Sequence, residues 1–213
     1  MKDFNFETIK EFDNHISDSI HGYNLLHELI INISSFFIKK NDVIYDLGTT
    51  TGMLPIKLNQ RYQCKIIGYD ITDVNFLKPS SNDVKLCKVD LNKIKLKESN
   101  LFFSVFTLQF LSIKERIDLI DKVYKSLNVN GAFIVCEKEY SESALTQEIF
   151  TFCNYQNKLK KFTTTDILEK ESQLRHSMNC LTESENVKMF KKAGFKIDVF
   201  FKSLNFKGYI LIK

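Results

Sequence analysis

Short apolar runs and amphipathic stretches alternate along this chain. Val43–Leu47 is a compact apolar run with β-branched residues, broken only by Asp46, and predicts a buried strand. Lys65–Asp70, Val84–Val89, Leu101–Leu108 and Ala132–Cys136 read as four more strands. The unbroken apolar character of 101–108 suits a strand covered on both faces. Between these runs the spacing becomes helical. After a polar helical opening, 23–37 places Leu26, Ile30, Ile33 and Phe37 on one face, and Met53–Gln60 forms another helix. Ser112 and Glu115 make a capping box for a helix reaching Leu127, with Ile117, Ile120, Tyr124 and Leu127 inward. A helical insertion covers about 142–178. Thr182 and Glu185 make a second capping box, and that helix stops at Gly194. Two strands, 196–202 and 205–212, close the chain as an antiparallel hairpin.

This order predicts an α/β fold with a seven-stranded, mostly parallel sheet, one antiparallel strand and helices on both faces. A helical cap over 1–40 and the insertion over 142–180 belong to the same single domain, 1–213. On such sheets ligands bind beyond the carboxyl ends of the strands. Three strand ends here carry acids, Asp46, Asp70 and Asp90.

The first strand runs into Gly48-Thr49-Thr50-Thr51-Gly52 and then a helix. Backbone N–H groups and a helix N-terminus at such a loop favour an anion. The dinucleotide pattern G-x-G-x-x-G is absent, and no Gly-Lys-Ser/Thr follows as in a P-loop. Glycines spaced this way also serve turn geometry alone. With Asp70 and Asp90 at consecutive strand ends, the loop reads as a nucleoside site. A ligand with a ribose, an ammonium, a carboxylate and a sulfonium in place of phosphates fits, as in S-adenosylmethionine. Its carboxylate would meet N–H groups near Gly48–Thr50, Asp46 would complement the ammonium, and Asp70 would accept from the ribose.

Composition bounds the rest. A chain of 213 residues, 44% hydrophobic, is long enough for one large core. Its net charge of +4 permits an acidic partner without demanding one. Five scattered cysteines form no metal-ligand pattern. With no signal-peptide core and no apolar run of membrane length, a cytoplasmic protein without membrane association is expected.

Further landmarks are Ser19-Ile20-His21-Gly22-Tyr23, Tyr45-Asp46-Leu47-Gly48, Phe106-Thr107-Leu108-Gln109-Phe110-Leu111, Glu137-Lys138, Ser172-Gln173 with Arg175, and Ala193-Gly194-Phe195. From about Phe12 onward the chain resembles the carboxy-S-adenosylmethionine synthases, a branch of the Rossmann-like class I methyltransferase fold. The resemblance implies transfer of the carboxyl group of prephenate to the methyl carbon of S-adenosylmethionine. The product, carboxy-S-adenosylmethionine, would serve modification of a tRNA wobble uridine or of nucleotide-peptides. It also implies a homodimer. By the same resemblance Tyr23 contacts the cofactor, Gly48, Thr49 and Thr50 line its amino-acid end, Asp70 and Ile71 its ribose, and Asp90 and Leu91 its adenine. Arg175 would clamp the new carboxylate as the catalytic residue, since a guanidinium fork matches a carboxylate. An ungapped alignment from Leu181-Thr182 puts Gln173 there instead.

The chain departs from the family at three places. Asp18 stands for an arginine, His21 for a proline and Val105 for an asparagine. Asp18 inverts a charge near the expected donor site, and Val105 removes a polar contact to the cofactor. Of the remaining candidates, His15 and His27 read as surface or core-edge groups, and His176 has no visible orienting partner. Glu137-Lys138 reads equally as a local ion pair or a pocket element. Lys158, Lys160 and Lys161 read as a solvated helix face, so no direct nucleic-acid binding is expected. Two other functions remain: a conventional methyltransferase for a small molecule or nucleotide, and a non-catalytic S-adenosylmethionine-binding partner subunit.

Overall fold

The computed structural model describes residues 12–73 and 75–213. The polar opening of the chain, 1–11, therefore lies outside the described residues. The elements in chain order are α1 (Phe12–Ser19), α2 (Tyr23–Ser34), β1 (Val43–Leu47), α3 (Met53–Tyr62), β2 (Lys65–Asp70) and β3 (Val84–Lys88). Then come β4 (Ser99–Val105), α4 (Ile113–Ser126), β5 (Leu127–Lys138), α5 (Ala144–Lys158), α6 (Thr164–Ser177), α7 (Glu183–Ala193), β6 (Lys196–Ser203) and β7 (Phe206–Ile212).

The strands form one sheet in the order β3-β2-β1-β4-β5-β7-β6. β1 to β5 pair in parallel, and β7 runs antiparallel to both β5 and β6. The order reverses at β1, whose neighbours are β2 and β4, and this opens a crevice above the β1 and β4 tips. Successive residues of a strand point to opposite faces, so β4 feeds two cores. Phe103 packs with Leu26 and Ile30 of α2 and Leu54 and Leu58 of α3. Phe102 packs with Leu119, Ile120 and Val123 of α4 and Phe190 of α7.

Both expected capping boxes form, and a third, Thr163 with Asp166, opens α6. Gly194 ends α7 at φ 109°. Four details differ from the sequence reading. The fourth strand stops at Val105, because Phe106 turns left-handed at φ 56° and Leu108–Phe110 becomes a 3₁₀ turn. α2 ends at Ser34 rather than Phe37, where Ser35 N–H closes onto the Asn32 and Ile33 carbonyls. The fifth strand begins at Leu127, not Ala132, with its pairing to β4 shifting between Ser99 and Leu101. The inner face of α4 carries a fully buried Arg116 beside Leu119, Ile120 and Val123, while Ile117 and Tyr124 are half-buried. The α–β alternation also lapses once β2 is passed. Among the described residues no α-helix separates β2 from β3, and only a 3₁₀ turn, Leu91–Lys93, lies between β3 and β4.

Candidate functional site

The glycine loop is built by close approach. Gly48 sits at φ 85°, and a Cβ there would fall 2.1 Å from Thr107 Oγ1. The left-handed turn at Phe106 is what brings Thr107 against the loop. The Gly48 and Thr49 N–H groups both donate to Tyr69 O, at 2.8 and 2.9 Å. Thr50 N–H donates to Asp70 Oδ2 at 2.8 Å. The amide cradle expected over Gly48–Thr50 is thus spent on tying the loop to β2, which corrects the sequence reading.

Both carboxylate oxygens of Asp70 accept backbone N–H bonds. Its Oδ1 accepts from Thr72 N–H at 3.2 Å while Oδ2 holds Thr50. A carboxylate has about four lone-pair sites, so both oxygens retain capacity for ligand hydroxyls. Burial raises its carboxyl, and the Thr50 and Thr72 bonds oppose the rise.

A cavity of about 290 Å³ lies over the strand tips, and Tyr23, Gly48, Thr50, Asp70, Ile71, Asp90 and Leu91 all line it. Ile71 is 72% exposed, an apolar side chain on an open cavity wall. Asp90 Oδ1 caps the 3₁₀ turn by accepting from Asn92 N–H at 2.9 Å. Val105 also faces the cavity.

Asp46 and Thr49 line a smaller recess of about 40 Å³, which shares Tyr23, Gly48 and Thr50 with the main cavity. Burial pushes the Asp46 carboxyl up to about 7; the Thr49 hydroxyl pulls it down and Asp70 raises it further. His27 stands in the same recess with its ring 4.3 Å from that of Tyr23. Burial and Lys57 hold the imidazole down to about 4, and its Nε2 has no hydrogen-bond partner among the described residues. His27 read as a surface or core-edge group. Its signal was its position four residues after Tyr23, on the same helical face.

The opposite side of the main cavity is cationic. Lys138 at the end of β5, Lys158 at the end of α5, and Lys170 of α6 line it together with Glu171. Lys158 Nζ meets Glu171 Oε1 at 2.9 Å, and Lys138 Nζ lies 3.8 Å from Oε2. Lys158 is only 7% exposed, so it is not part of a solvated face. The insertion folds back over the strand tips and turns this residue inward. No local spacing announces that, because its partner lies on another helix. Burial pushes the Glu171 carboxyl up, but Lys138, Lys158 and Arg175 together hold it below its ordinary value. Burial and Lys158 bring Lys170 down to about 8, and its ammonium contacts the His15 imidazole. His15 is held down to about 4 by burial and by Lys170 and Lys158.

Arg175 is not brought into this wall. It is exposed on α6, one residue beyond Leu174, which does line the cavity. His176 is exposed as well, and His21 bonds Ser203 Oγ at 2.9 Å. Glu137 faces the core, not the cavity: burial pushes it up to about 8 against the pull of Arg116. Among the described residues no group of three or more His, Cys, Asp or Glu is placed to hold a metal ion. No helix among them is long and apolar enough to cross a membrane.

No family model matches the sequence. The chain is similar to the carboxy-S-adenosyl-L-methionine synthase of Staphylococcus epidermidis, 33% identical over 219 residues, covering 97% of this chain and 94% of that protein. The enzyme of the same name from Sulfurimonas denitrificans is 30% identical over 225 residues, covering 99% of this chain and 94% of its own length. Among solved structures, magnesium protoporphyrin IX methyltransferase from Synechocystis with bound SAH superposes with a TM-score of 0.66 at 13% identity, over 97% of this chain and 89% of that one. Human N-acetylserotonin methyltransferase in complex with SAM gives 0.62 at 20% identity, over 95% of this chain and 55% of that one. The fold is Rossmann-like, of the class I methyltransferase type.

Proposed function

This chain belongs to the carboxy-S-adenosyl-L-methionine synthase family, and from that membership we propose that it transfers the carboxyl group of prephenate to the methyl carbon of S-adenosylmethionine. It is an S-adenosylmethionine-dependent transferase. The pocket suits the cofactor on its own geometry. Asp70 keeps acceptor capacity for two ribose hydroxyls, and Ile71 offers an apolar surface beside it. Asp90 and Leu91 would hold the adenine. The Asp46 recess, with Tyr23, Gly48, Thr49 and Thr50, would take the amino-acid end. There an ammonium would favour the charged form of Asp46, and the unpartnered His27 Nε2 would meet a polar ligand atom.

The bound cofactor supplies a methyl group acidified by its sulfonium. The chain's own contribution is to align the carboxyl donor with that methyl, exclude water and match the charge of the carboxylated product. One observation carries the reading. The cavity is lined by Asp70 and Asp90, from the tips of β2 and β3, and by three ammonium groups from β5, α5 and α6 with the Glu171 carboxylate among them. Methyl transfer to a neutral acceptor has no use for the cationic side. The product would serve modification of a tRNA wobble uridine or of nucleotide-peptides by a partner enzyme in the cytoplasm. A homodimer is in keeping with the exposed Leu145, Ile149 and Phe152, which recur along α5.

The test is mass spectrometry of the nucleoside released from purified protein, combined with turnover of added prephenate. A ligand heavier than S-adenosylmethionine by one CO2, and prephenate-dependent formation of it, supports the reading. Only S-adenosylmethionine or its demethylated product, with no turnover of prephenate, would sink it in favour of a methyltransferase.

A further inference from the structure

We propose that Lys138 and Lys158 form the carboxylate subsite of the cavity and hold the carboxyl group of the donor and of the carboxylated product. This rests on the carboxyl-transfer reading above and names the residues that recognise its substrate class, a carboxylate-bearing small molecule. Two ammonium groups share one protein carboxylate here. Lys158 meets Glu171 at 2.9 Å and Lys138 reaches it at 3.8 Å, with both lysines on the cavity wall. A single carboxylate cannot neutralise two cations, and a charge held away from water costs free energy until an anion meets it. Lys170 lines the same wall, and its lowered proton affinity follows from burial and from Lys158. An anionic ligand group is what Lys138 and Lys158 are placed to receive.

The backbone fixes where the subsite points. Lys138 N–H donates to Gln109 Oε1 at 2.8 Å, which locks the end of β5 to the 3₁₀ turn after β4. Phe106 N–H donates to Cys136 O at 2.7 Å and joins the same two strand ends. Lys138 is thereby held beside the β4 tip, on the other side of β1 from the acid of β2. Lys158 comes from the far side, at the C-terminal end of α5, with Glu171 of α6 as its anchor. Glu171 positions both ammonium groups while leaving donors on each. Lysine is a point charge with rotatable donors, so the subsite would accept carboxylates at more than one angle. That property suits a site that meets the donor first and the product afterwards. Arg175 stands exposed, outside the wall.

The experiment is calorimetry on the full chain with three ligands: S-adenosylhomocysteine, carboxy-S-adenosylmethionine, and prephenate added to the S-adenosylhomocysteine-loaded protein. Lys158→Met and Lys138→Met should each weaken carboxy-S-adenosylmethionine and prephenate by roughly tenfold or more, the usual consequence of losing a charge-assisted bond. S-adenosylhomocysteine should bind as to the native chain. Lys158→Arg should recover most of the loss. Should Lys158→Met fold poorly because Glu171 loses a partner, the double variant Lys158→Met/Glu171→Gln removes the imbalance and is read in the same way. Equal weakening of all three ligands, unchanged carboxylate binding in both lysine variants, or loss of it only in Arg175→Ala would overturn the subsite. The parent reading fails separately. A native chain that makes no carboxy-S-adenosylmethionine, yet loses prephenate binding in the lysine variants, would refute the transfer and leave the subsite standing.

Discussion

Asp46 makes the unliganded protein less stable as the pH rises, and replacing it should show by how much. The residue is 3% exposed within β1, and burial lifts its carboxyl from 3.8 to about 7. Between those values the folded state holds a proton that the unfolded chain has already released. The folded state therefore binds more protons, and stability falls as pH rises across that window. The gap is roughly three pH units at about 1.36 kcal/mol each, so the full cost approaches about 4 kcal/mol above pH 7. An asparagine keeps the shape and removes the proton. Urea unfolding of Asp46→Asn and the native chain from pH 4.5 to 8.5, without cofactor, isolates the effect. The stability difference between them should grow in favour of the variant up to about pH 7 and then level off. Titrating groups that do not interact with Asp46, Glu137 among them, cancel in the difference, while Asp70, which does, adds a smaller contribution of the same origin. S-adenosylhomocysteine, whose ammonium stabilises the charged carboxylate, should reduce the native chain's disadvantage and bind Asp46→Asn more weakly. A difference that stays flat across pH 5 to 8 would refute the assignment of a raised carboxyl to this position.

Gly48→Ala combines a left-handed backbone with overlap on Thr107, each costing about 1–3 kcal/mol. Thermal unfolding should show a loss of about 2–6 kcal/mol, reduced to the backbone part in a Thr107→Gly background. Asp70→Asn keeps one carbonyl acceptor and loses the charged one, so S-adenosylhomocysteine affinity by calorimetry should fall roughly tenfold or more. Arg116 is fully buried, its Nη2 donating to Asn179 O at 2.7 Å and its charge opposing Glu137. Arg116→Met should destabilise by about 1–3 kcal/mol in urea unfolding at pH 7, because the buried Asn179 carbonyl loses its charged donor while Glu137 already holds its proton; a loss of about 5 kcal/mol or more would show that Glu137 is charged beside Arg116.

The strand tips were legible because their signals are local. Val43–Leu47, Lys65–Asp70 and the glycines at 48 and 52 lie within a short stretch of chain, and Asp70, which lines the cavity, ends a strand visible as an apolar run. The capping boxes at Ser112 and Thr182 were legible for the same reason, since each satisfies its bonds within three residues. The end of β4 was not. Phe106 adopts φ 56° because the chain must turn Thr107 onto Gly48, fifty-nine residues away in sequence. An unbroken apolar run carries no mark of that demand.

The sequence by itself determined the α/β order, the glycine loop after β1 and the placing of Asp46, Asp70 and Asp90 at strand ends. These follow from periodicity and from glycine and cap chemistry, which act over one turn or one strand. Only the tertiary structure decided which charges share the cavity. It spent the loop amides on Tyr69 and Asp70, buried His27 beside Tyr23, brought Lys158 inward onto Glu171 and left Arg175 outside. A charge reads alike in sequence whether it meets water or a partner on another helix. Packing of the insertion over the sheet makes that choice, through the balance of desolvation against pairing.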